Sequence, residues 1–407
     1  MLSEMTRIGL PIPSGFCITS ETCTDVFKYH SIHTTPKSTM TSNPLSRFPQ
    51  YFQESLLKAV HRLEIASGHS FGSGNFPDVG LGQSLLNSIG RTVGIKSDRK
   101  CSPNYPLLLS VRSSPSTSMS GILDSILNIG MNDVVCHLLI EASNDPIFAY
   151  DEYCKFIQAF GTTVFNVDEQ VYIKAKQDIE GRTGPKGMDI DDIKSLLVVL
   201  KELTPPIPED PLQQLAMALV AVANSWNSQR AVKYREIHNL SNTFCMALLV
   251  EQMVFGNLGC NSGAGVCYSR NPCNGNAELV GEYFINSTGT DICSGHKTGV
   301  DLEYLQIQLP SCNEILSRIS KQLELKFREV QCVEFVIENA KLFVLQCKPA
   351  HCSPKANIRC SVAMVEEHLI TEREAIMRIE AFQLNYFKRP ILNQETGVVD
   401  LCYKFSN

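Results

Sequence analysis

Two hydrophobic periods alternate along the chain and divide it into helical and extended stretches. Apolar spacings of three and four residues predict helices at 51–66, 133–210 (with a break at 181–185), 211–226, 313–329, 357–368 and 372–384. Apolar runs and alternation predict strands at 10–16, 107–112, 245–255, 265–270, 279–286 and 331–348. Most strands come late and the longest helical stretch lies in the middle. This mixture indicates an α/β or α+β protein with several subdomains.

The segment 331–348 predicts a β-hairpin whose register can be chosen by polarity. A two-residue turn would pair Glu334 with Leu345 and mix polar with apolar residues on both faces. A three-residue turn at 339–341 instead pairs Glu334 with Gln346 and Cys332 with Lys348. It also collects one apolar face, which consists of Val333, Phe335, Ile337, Phe343, Leu345 and Cys347. Because one face of a hairpin is normally buried, we predict the three-residue turn.

The polar face of this hairpin has the chemistry for a divalent cation and a phosphate. Mg²⁺ prefers one or two protein oxygens, supplemented by phosphate oxygens and water. Glu334 and Gln346 would supply a carboxylate and an amide oxygen, with the Lys348 ammonium one step away. The alternative is a solvated face on which Glu334 and Lys348 form an ordinary diagonal ion pair.

Composition narrows the class of protein. The chain has 407 residues, of which 43% are hydrophobic and 19% charged, which suits two or three domains and excludes disordered and fibrous classes. Its net charge of −6 gives no basic field for nucleic acid. The longest apolar run, 215–223, is far too short to span a membrane. Because residues 1–7 carry no secretion signal, we expect a cytoplasmic protein, or an organellar one if a transit peptide precedes Met1.

The cysteine pattern argues for reduced thiols. Sixteen cysteines run from Cys17 to Cys402, and none forms a Cys-x-x-Cys pair. In a chain of this length without a secretion signal, they indicate structural thiols. Four ligand-type residues follow the hairpin closely but match no zinc spacing: Cys347, His351, Cys352 and Cys360. We expect no metal there.

Two further features have the composition of phosphate sites. Arg112 ends a predicted strand before the small-residue loop 113–121, which suits phosphate recognition, although solvated or ion-paired arginines are more common. The glycine-rich segment 256–265 is typical of a phosphate-cradling loop but lacks the Gly-Lys-Ser/Thr ending of a P-loop. A hairpin turn explains that segment equally well.

Together, these segments resemble the N-terminal, ATP-binding part of pyruvate phosphate dikinase. The resemblance covers nearly all of the chain in long, ordered runs, and it is more specific than any single motif. The runs include Leu10-Pro11-Ile12-Pro13-Ser14-Gly15-Phe16, Leu109-Ser110-Val111-Arg112-Ser113, Met119-Ser120-Gly121-Ile122-Leu123-Asp124, Leu127-Asn128-Ile129-Gly130-Met131-Asn132-Asp133, Ala149-Tyr150-Asp151-Glu152-Tyr153, Ser225-Trp226-Asn227, Gln252-Met253-Val254-Phe255-Gly256-Asn257, Ser269-Arg270-Asn271-Pro272 and Gly281-Glu282-Tyr283.

The resemblance implies an α+β, ATP-grasp fold, in which MgATP is bound between two subdomains and a helical insert is present. We accordingly expect a first subdomain at 1–132 continued at 211–255, a helical insert and Pro-rich hinge at 133–210, a second subdomain with the hairpin at 256–352, and a helical C-terminal linker at 353–407. In the family, this domain transfers the β-phosphoryl group of ATP to a histidine on a swivelling domain. Pyruvate at a C-terminal barrel then accepts it to give phosphoenolpyruvate.

The resemblance also implies roles for single residues around the nucleotide. Arg112 matches the family's phosphate-binding arginine, and Gly121 lies in its mobile phosphate-covering loop. Met253 and Val254 fall on the segment that lines the adenine. Arg112 and Lys348 are the cations expected to act on the transferred phosphate, since little covalent chemistry falls to the protein.

Glu334 and Gln346 match the family's metal and nucleotide ligands, but nearby positions depart from the family. Cys332 stands where the family has an acid, and a thiol is a poor Mg²⁺ ligand. Lys348 replaces an arginine, which keeps the charge and loses the bidentate fork. Ser114 replaces a glycine of the covering loop, which would stiffen its closure.

Three functional hypotheses follow, with ATP and Mg²⁺ as the expected ligands. The first is the ATP-binding half-site of a pyruvate phosphate dikinase, working with a separate phosphohistidine and pyruvate-binding domain or with a homo-oligomer partner. The second is a non-catalytic, degenerate nucleotide-binding or interaction module. It gains weight because neither the family's Gly-Gly-Lys-Gly segment nor its phosphohistidine domain is among the 407 residues. The third, a phosphoenolpyruvate synthase-like dikinase, ranks lowest, because 128–133 and 225–231 have the pyruvate phosphate dikinase form.

Overall fold

The computed structural model describes residues 2–29, 44–72, 106–115, 117, 119, 121–183, 188–241, 243, 246–289 and 298–388. The chain divides into two compact units. Pro13–Leu258 form the first, here called the Arg112 unit, and Met1–Ile12 with Gly259–Asn407 form the second, the hairpin unit. Both helices and antiparallel strands are abundant, which confirms the α+β class.

The first residues of the chain belong to the hairpin unit and not to the unit that follows them in sequence. Helix α1 (Leu2–Arg7) and the turn after it bury Met5 and Leu10 in the core of the hairpin unit. The Val344 amide also donates to the Pro11 carbonyl at 2.8 Å. The predicted first subdomain, 1–132, therefore differs from the observed unit at its N-terminal end. The rest of the four-part domain assignment stays a prediction.

The Arg112 unit is built on a four-stranded antiparallel sheet of order β1-β6-β4-β5. The strands of the unit are β1 (Gly15–Ile18), β2 (Ser70–Phe71), β3 (Pro106–Leu107), β4 (Leu109–Pro115), β5 (Ser125–Ile129) and β6 (Met246–Gln252), with β2 and β3 as a separate parallel pair. Strand β1 begins at Gly15, later than predicted, because Pro11 and Pro13 cannot donate to a ladder. Glycine is required there, since a Cβ would lie 2.5 Å from the Val250 carbonyl oxygen.

Helices pack against this sheet and against one another, and four of those described lie in the stretch 133–210 that was predicted to be helical. They are α2 (Ser20–Cys23), α3 (Gln50–Ser67), α4 (Asp133–Ser143), α5 (Pro146–Phe165), α6 (Glu169–Thr183), α7 (Ile190–Leu203), α8 (Pro211–Asn224) and α9 (Gln229–Ile237). Asn132, Asp145 and Asp210 cap the N-termini of α4, α5 and α8 by accepting backbone N–H bonds. The apolar α8 packs against β4 and β5 in one continuous core.

The hairpin unit contains a five-stranded antiparallel sheet of order β11-β10-β7-β8-β9. Its strands are β7 (Gly263–Tyr268), β8 (Val280–Ile285), β9 (Val300–Asp301), β10 (Gln331–Glu338) and β11 (Lys341–Pro349). Its further helices are α10 (Leu302–Gln308), α11 (Pro310–Phe327), α12 (Pro354–Glu366) and α13 (Glu372–Met377). The apolar side of α11 shares a core with one face of this sheet, and Glu334 lies on the opposite face.

Two further features concern only the part of the chain with described coordinates. None of its helices has the length and apolar character needed to cross a bilayer. Its twelve described cysteines are all free thiols.

Candidate functional site

The hairpin of β10 and β11 has the predicted pairing at its open end and a different turn. Glu334 lies across from Gln346, and Cys332 across from Lys348, as polarity predicts. The predicted three-residue turn is wrong. Glu338 pairs with Lys341, so the turn has two residues, Asn339 and Ala340, both with positive φ.

A β-bulge reconciles the two registers. The register shifts between Glu334 and Phe335, and Leu345 is the extra residue on β11. Leu342 and Val344 consequently join Val333 in the core, whereas Phe343 and Leu345 were predicted there. The bulge lies directly beside Gln346, so the strand that presents this amide is locally irregular.

Glu334 and Lys348 form an ion pair on the polar face of the hairpin. The Lys348 ammonium is 3.1 Å from Glu334 Oε1. Both side chains are about one third exposed, at 33% and 29%, and Gln346 is exposed beside them. The diagonal pairing proposed from sequence as the ordinary alternative is thus present. A pair this accessible to water contributes little to stability and can open at small cost.

Cys332 is a neutral thiol on the same face. It is only 4% exposed and lies opposite Tyr268 of the neighbouring strand β7. Burial raises the pKa of the Cys332 thiol, and the nearby Lys348 ammonium offsets part of that effect. Burial, together with the neighbouring Cys332, raises the pKa of the Tyr268 hydroxyl to about 12. Neither side chain is therefore charged near neutral pH.

The oxygen ligands on this face suit a Mg²⁺ ion that is also coordinated by a phosphate. One carboxylate and one amide oxygen stand opposite each other at Glu334 and Gln346. Mg²⁺ is held in many phosphate sites by one or two protein oxygens, the other ligands being phosphate and water. Cys332 adds no oxygen, and Lys348 competes for Glu334. The residues fit a cation that arrives with a phosphate better than one bound alone.

Arg112 lies on β4 in the Arg112 unit, on the face of the sheet turned away from the core. It pairs with Ser125 of β5 and Leu249 of β6. The register places Glu251 one step diagonally from it, on the same face. Glu251 is 7% exposed, and burial raises the pKa of its carboxyl although the Arg112 guanidinium opposes the rise. Arg112 is thus half-buried beside an acid that sequence reasoning missed.

Gly121, Met253 and Val254 lie in the Arg112 unit as well. Gly121 is exposed in a turn after β4 with φ of +72°, a conformation that glycine adopts freely. The Met253 amide donates to the Leu108 carbonyl at 2.8 Å, so a ligand would meet its carbonyl or side chain. Both Met253 and Val254 are half-buried just after β6.

The segment after Val254 is anchored on helix α5. The Phe255 ring packs edge-on against Phe148, with centroids 5.2 Å apart. Asn257 Nδ2 donates to Glu152 Oε1 at 2.8 Å. The glycine-rich stretch that follows is no hairpin turn, because β6 and β7 belong to different sheets. That reading of 256–265 was wrong.

The predicted site residues fall into two groups. Glu334, Gln346 and Lys348 meet on the hairpin. Those of the Arg112 unit are Arg112, Gly121, Met253 and Val254. No group of three or more His, Cys, Asp or Glu side chains suited to a metal ion occurs among the residues with described coordinates.

Two acids with structural support escaped the sequence analysis, Glu152 and Glu251. For Glu152 a signal existed, since a glutamate interrupts the apolar face that Phe148, Phe156 and their neighbours give to α5. For Glu251 the signal was weaker, because alternation along β6 places it on the same face as Leu249. In both cases the partner is distant in sequence.

Comparison with known proteins places the chain in a family. It matches the family model for the pyruvate phosphate dikinase AMP/ATP-binding domain over residues 1–308. It is 36% identical over 416 aligned residues to pyruvate, phosphate dikinase from Rickettsia felis, and 33% identical over 401 to that of Clostridium symbiosum. It is 31% identical over 407 to the chloroplastic pyruvate, phosphate dikinase 1 of Oryza sativa subsp. japonica.

The matches cover most of this chain and less than half of the relatives. They span 98%, 96% and 98% of the chain but 42%, 41% and 38% of the three relatives. The chain therefore extends over about two fifths of the length of the relatives it matches. On the strength of the family match and of these identities, the chain belongs to the pyruvate phosphate dikinase family and carries its AMP/ATP-binding domain, which is of the ATP-grasp type.

Proposed function

We propose that this chain is the ATP-binding domain of a pyruvate phosphate dikinase-like phosphotransferase. It binds MgATP for transfer of a phosphoryl group to a histidine outside these residues, toward interconversion of pyruvate and phosphoenolpyruvate. The observation that carries the proposal is the hairpin pairing. It sets the Glu334 carboxylate opposite the Gln346 amide with the Lys348 ammonium 3.1 Å away, in a chain of this family.

The chain's own side chains divide the work of holding a triphosphate. Arg112 offers a guanidinium with several N–H donors to phosphate oxygens. Lys348 can exchange Glu334 for a phosphate, because its ion pair is accessible to water. Glu334 and Gln346 would hold Mg²⁺ through their oxygens. The bound ion would supply charge neutralisation of the phosphates.

Met253 and Val254 would contact the base. Their half-buried position at the end of β6 gives an apolar edge, and the Met253 amide is already engaged with Leu108. A purine packed there would be held by its face and by backbone carbonyls. Recognition of this kind favours adenine nucleotides, whose exocyclic amine donates a hydrogen bond.

A second function, nucleotide binding without phosphoryl transfer, is supported by Cys332. A buried neutral thiol beside Glu334 supplies no second carboxylate there, and Glu334 itself is paired with Lys348. Such a site would bind a nucleotide more weakly and with less demand for Mg²⁺. The chain would then act as a nucleotide-responsive module.

The test is calorimetric titration of the full chain with ATP, with and without Mg²⁺. Arg112→Ala is the variant, and Arg62→Ala, an exposed arginine on α3, is the matched control. We expect saturable binding that Mg²⁺ strengthens, that Arg62→Ala retains, and that Arg112→Ala weakens about tenfold or more, since it removes a charge-assisted contact. Binding indifferent to Mg²⁺ would favour the nucleotide-responsive module. No heat at millimolar ATP would overturn both functions.

A further inference from the structure

Glu152 is a buried carboxylate at the centre of helix α5. Its residue is 2% exposed, and it lies one helical turn after Phe148 on the apolar side of the helix. A carboxylate in such a place needs partners for both oxygens, because removing a charge from water is costly. Its partners are known atom by atom, and all of them belong to the Arg112 unit.

The two carboxylate oxygens have separate tasks. Oε1 accepts from the Asn257 amide nitrogen at 2.8 Å and from the Lys155 ammonium at 2.8 Å. Oε2 accepts from Nδ2 of Asn128, a residue of β5, at 2.6 Å. Lys155 also forms an ion pair with Asp151 at 2.8 Å, so one ammonium is shared between the two carboxylates.

The charge of Lys155 is fixed by its neighbours. Burial works to lower the pKa of Lys155, but Glu152 and Asp151 outweigh burial and leave that pKa raised. The ammonium therefore stays charged at physiological pH. Both side-chain oxygens of Glu152 act as acceptors, since Asn257 and Asn128 both present their Nδ2 groups to it.

This arrangement leaves a cost that stability alone does not explain. The Oδ1 atoms of Asn128 and Asn257 are buried and have no hydrogen-bond partner among the described residues. Buried acceptors without partners are uncommon in folded proteins and destabilise them. An apolar contact between α5 and the chain near Asn257 would avoid that cost. What Glu152 adds is a defined orientation of the chain at Asn257.

Glu152 orients the segment that follows β6. Phe255 packs against Phe148, and Asn257 bonds to Glu152 one helical turn further along α5. At the other end, the Met253 amide is bonded to Leu108. Met253 and Val254 are thus held between Leu108, which lies between β3 and β4, on one side and two points of α5 on the other.

We propose that Glu152 is a positioning residue for the adenine end of the nucleotide site, fixing the segment 253–257 through Asn257. This inference rests on the proposed function, because only a bound adenine gives the segment its purpose. It predicts that Glu152 affects recognition of the base and has no influence on recognition of the phosphates. Arg112 should show the opposite behaviour.

The test compares Glu152→Gln, Asn257→Asp and the double variant in the full chain. Dissociation constants for AMP, ADP, ATP and inorganic tripolyphosphate are measured by displacement of a fluorescent trinitrophenyl-ATP. Asp151→Asn is the matched control, since Asp151 precedes Glu152 on α5 and shares Lys155 but has no bond to Asn257. Thermal unfolding of each variant shows that it is folded.

We expect each single substitution to weaken AMP, ADP and ATP by a similar factor, about tenfold, and to leave tripolyphosphate unchanged. The double variant restores affinity, because the amide introduced by Glu152→Gln can donate where Asn257 did and the carboxylate introduced by Asn257→Asp can accept. Amides of 253–257 should exchange hydrogen faster in the single variants than in Asp151→Asn. A purely structural role would lower the thermal midpoint without this selectivity for the base.

The outcomes separate the two proposals. If the unsubstituted chain binds no adenine nucleotide, the proposed function fails and the positioning role fails with it. If the unsubstituted chain binds ATP while Glu152→Gln and Asn257→Asp bind it equally well, only the positioning role is overturned. An equal loss for tripolyphosphate and AMP would also overturn it, since it would indicate general loss of structure.

Discussion

Cys332 and Lys348 face each other across the hairpin at the point where metal and phosphate would meet. The thiol is buried and neutral, and the Glu334 carboxylate is paired with Lys348. An ammonium paired with this carboxylate does part of what a divalent cation would do. Under the proposed function, this residue pair would set how strongly nucleotide binding depends on Mg²⁺.

Replacing Cys332 with aspartate should raise the affinity of the site for Mg²⁺. A second carboxylate beside Glu334 adds an oxygen that hard cations prefer, and Lys348 stabilises its charge. We expect the Mg²⁺ concentration that half-saturates ATP binding to fall by about tenfold, which is 1.4 kcal/mol. Titration of Mg²⁺ at fixed ATP by calorimetry measures it. Cys332→Ser, equal in size and uncharged, should leave the midpoint where it was, and a matching fall in that variant would refute the argument.

Glu251 should make the Arg112 unit less stable as pH rises. Burial raises the pKa of this carboxyl in the folded state. The folded state then holds the proton longer than the unfolded state, so the free energy of unfolding falls as pH rises from the ordinary pKa of a glutamate to the raised one. Glu251→Gln removes this loss. Its advantage over the unsubstituted chain should be larger at pH 7 than at pH 4.

Urea unfolding followed by tryptophan fluorescence measures that difference, because the single tryptophan, Trp226, lies in the Arg112 unit. Glu21 supplies a control of opposite sign. Its own backbone N–H and the Thr19 hydroxyl lower the pKa of the Glu21 carboxyl, so Glu21→Gln should lose stability at pH 7 relative to pH 4. The same sign in both variants would contradict the assignment.

The residues that sequence reasoning missed show what local patterns cannot carry. The bond from Asn257 to Glu152 joins positions 105 residues apart, and Glu251 faces Arg112 from a different strand. Periodicity shows which face of an element is polar but gives no information on which distant side chain meets it. The family resemblance assigned roles to Arg112 and Glu334, whereas it assigned none to Glu152, although Glu152 lies in the matching run 149–153, and none to Glu251.

At the scale of elements, the hairpin separates what polarity determines from what it does not. Polarity correctly paired Glu334 with Gln346, because both side chains need the wetter face. It failed at the turn, since one bulge at Leu345 shifts the register by a residue and satisfies a two-residue turn as well. A single sequence gives no sign of where such a bulge lies. The helices at 51–66 and 211–226 were found within two residues because their apolar faces are long and regular.

The turn itself carries strain that can be relieved. Ala340 has φ of +61°, a left-handed conformation that costs a residue with a Cβ about 1 kcal/mol. Its amide donates to the Asn261 carbonyl at 2.8 Å and its carbonyl accepts from the Cys312 thiol, and glycine would retain both bonds. After the entropic cost of glycine in the unfolded chain, Ala340→Gly should stabilise the hairpin by about 0.5 kcal/mol.

Native-state hydrogen exchange of the β10 and β11 amides measures this change locally, without assuming that both units unfold together. Ala363→Gly in α12 of the same unit provides the contrast. There the backbone is helical, so glycine should destabilise by about 0.5–1 kcal/mol. We expect slower exchange of the β10 and β11 amides in Ala340→Gly and faster exchange of the α12 amides in Ala363→Gly. If Ala340→Gly also exchanged faster, the turn would not be strained.

At the scale of the whole molecule, the chain consists of two units with separate hydrophobic cores. Arg112, Met253 and Val254, proposed to hold phosphate and base, belong to the Arg112 unit. Glu334, Gln346 and Lys348, proposed to hold the metal and a phosphate, belong to the hairpin unit. Arg112, Glu334, Gln346 and Lys348 lie on strands, which fix side chains more rigidly than loops do.

The proposed function makes a demand on these 407 residues that can be measured directly. Phosphoryl transfer of the family's kind needs an acceptor histidine and a pyruvate site, which in the family are on domains other than this one. The chain spans about two fifths of its relatives, so we expect the pure polypeptide to bind ATP without converting pyruvate to phosphoenolpyruvate. Phosphorus NMR of the chain with ATP, phosphate, pyruvate and Mg²⁺ should show no phosphoenolpyruvate, and β-labelled ATP should leave no acid-labile label on the protein. Product formed by the pure chain would contradict this expectation, because it would require an acceptor within the 407 residues. If the protein became labelled and Arg112→Ala kept that label, the transfer would not depend on the proposed site.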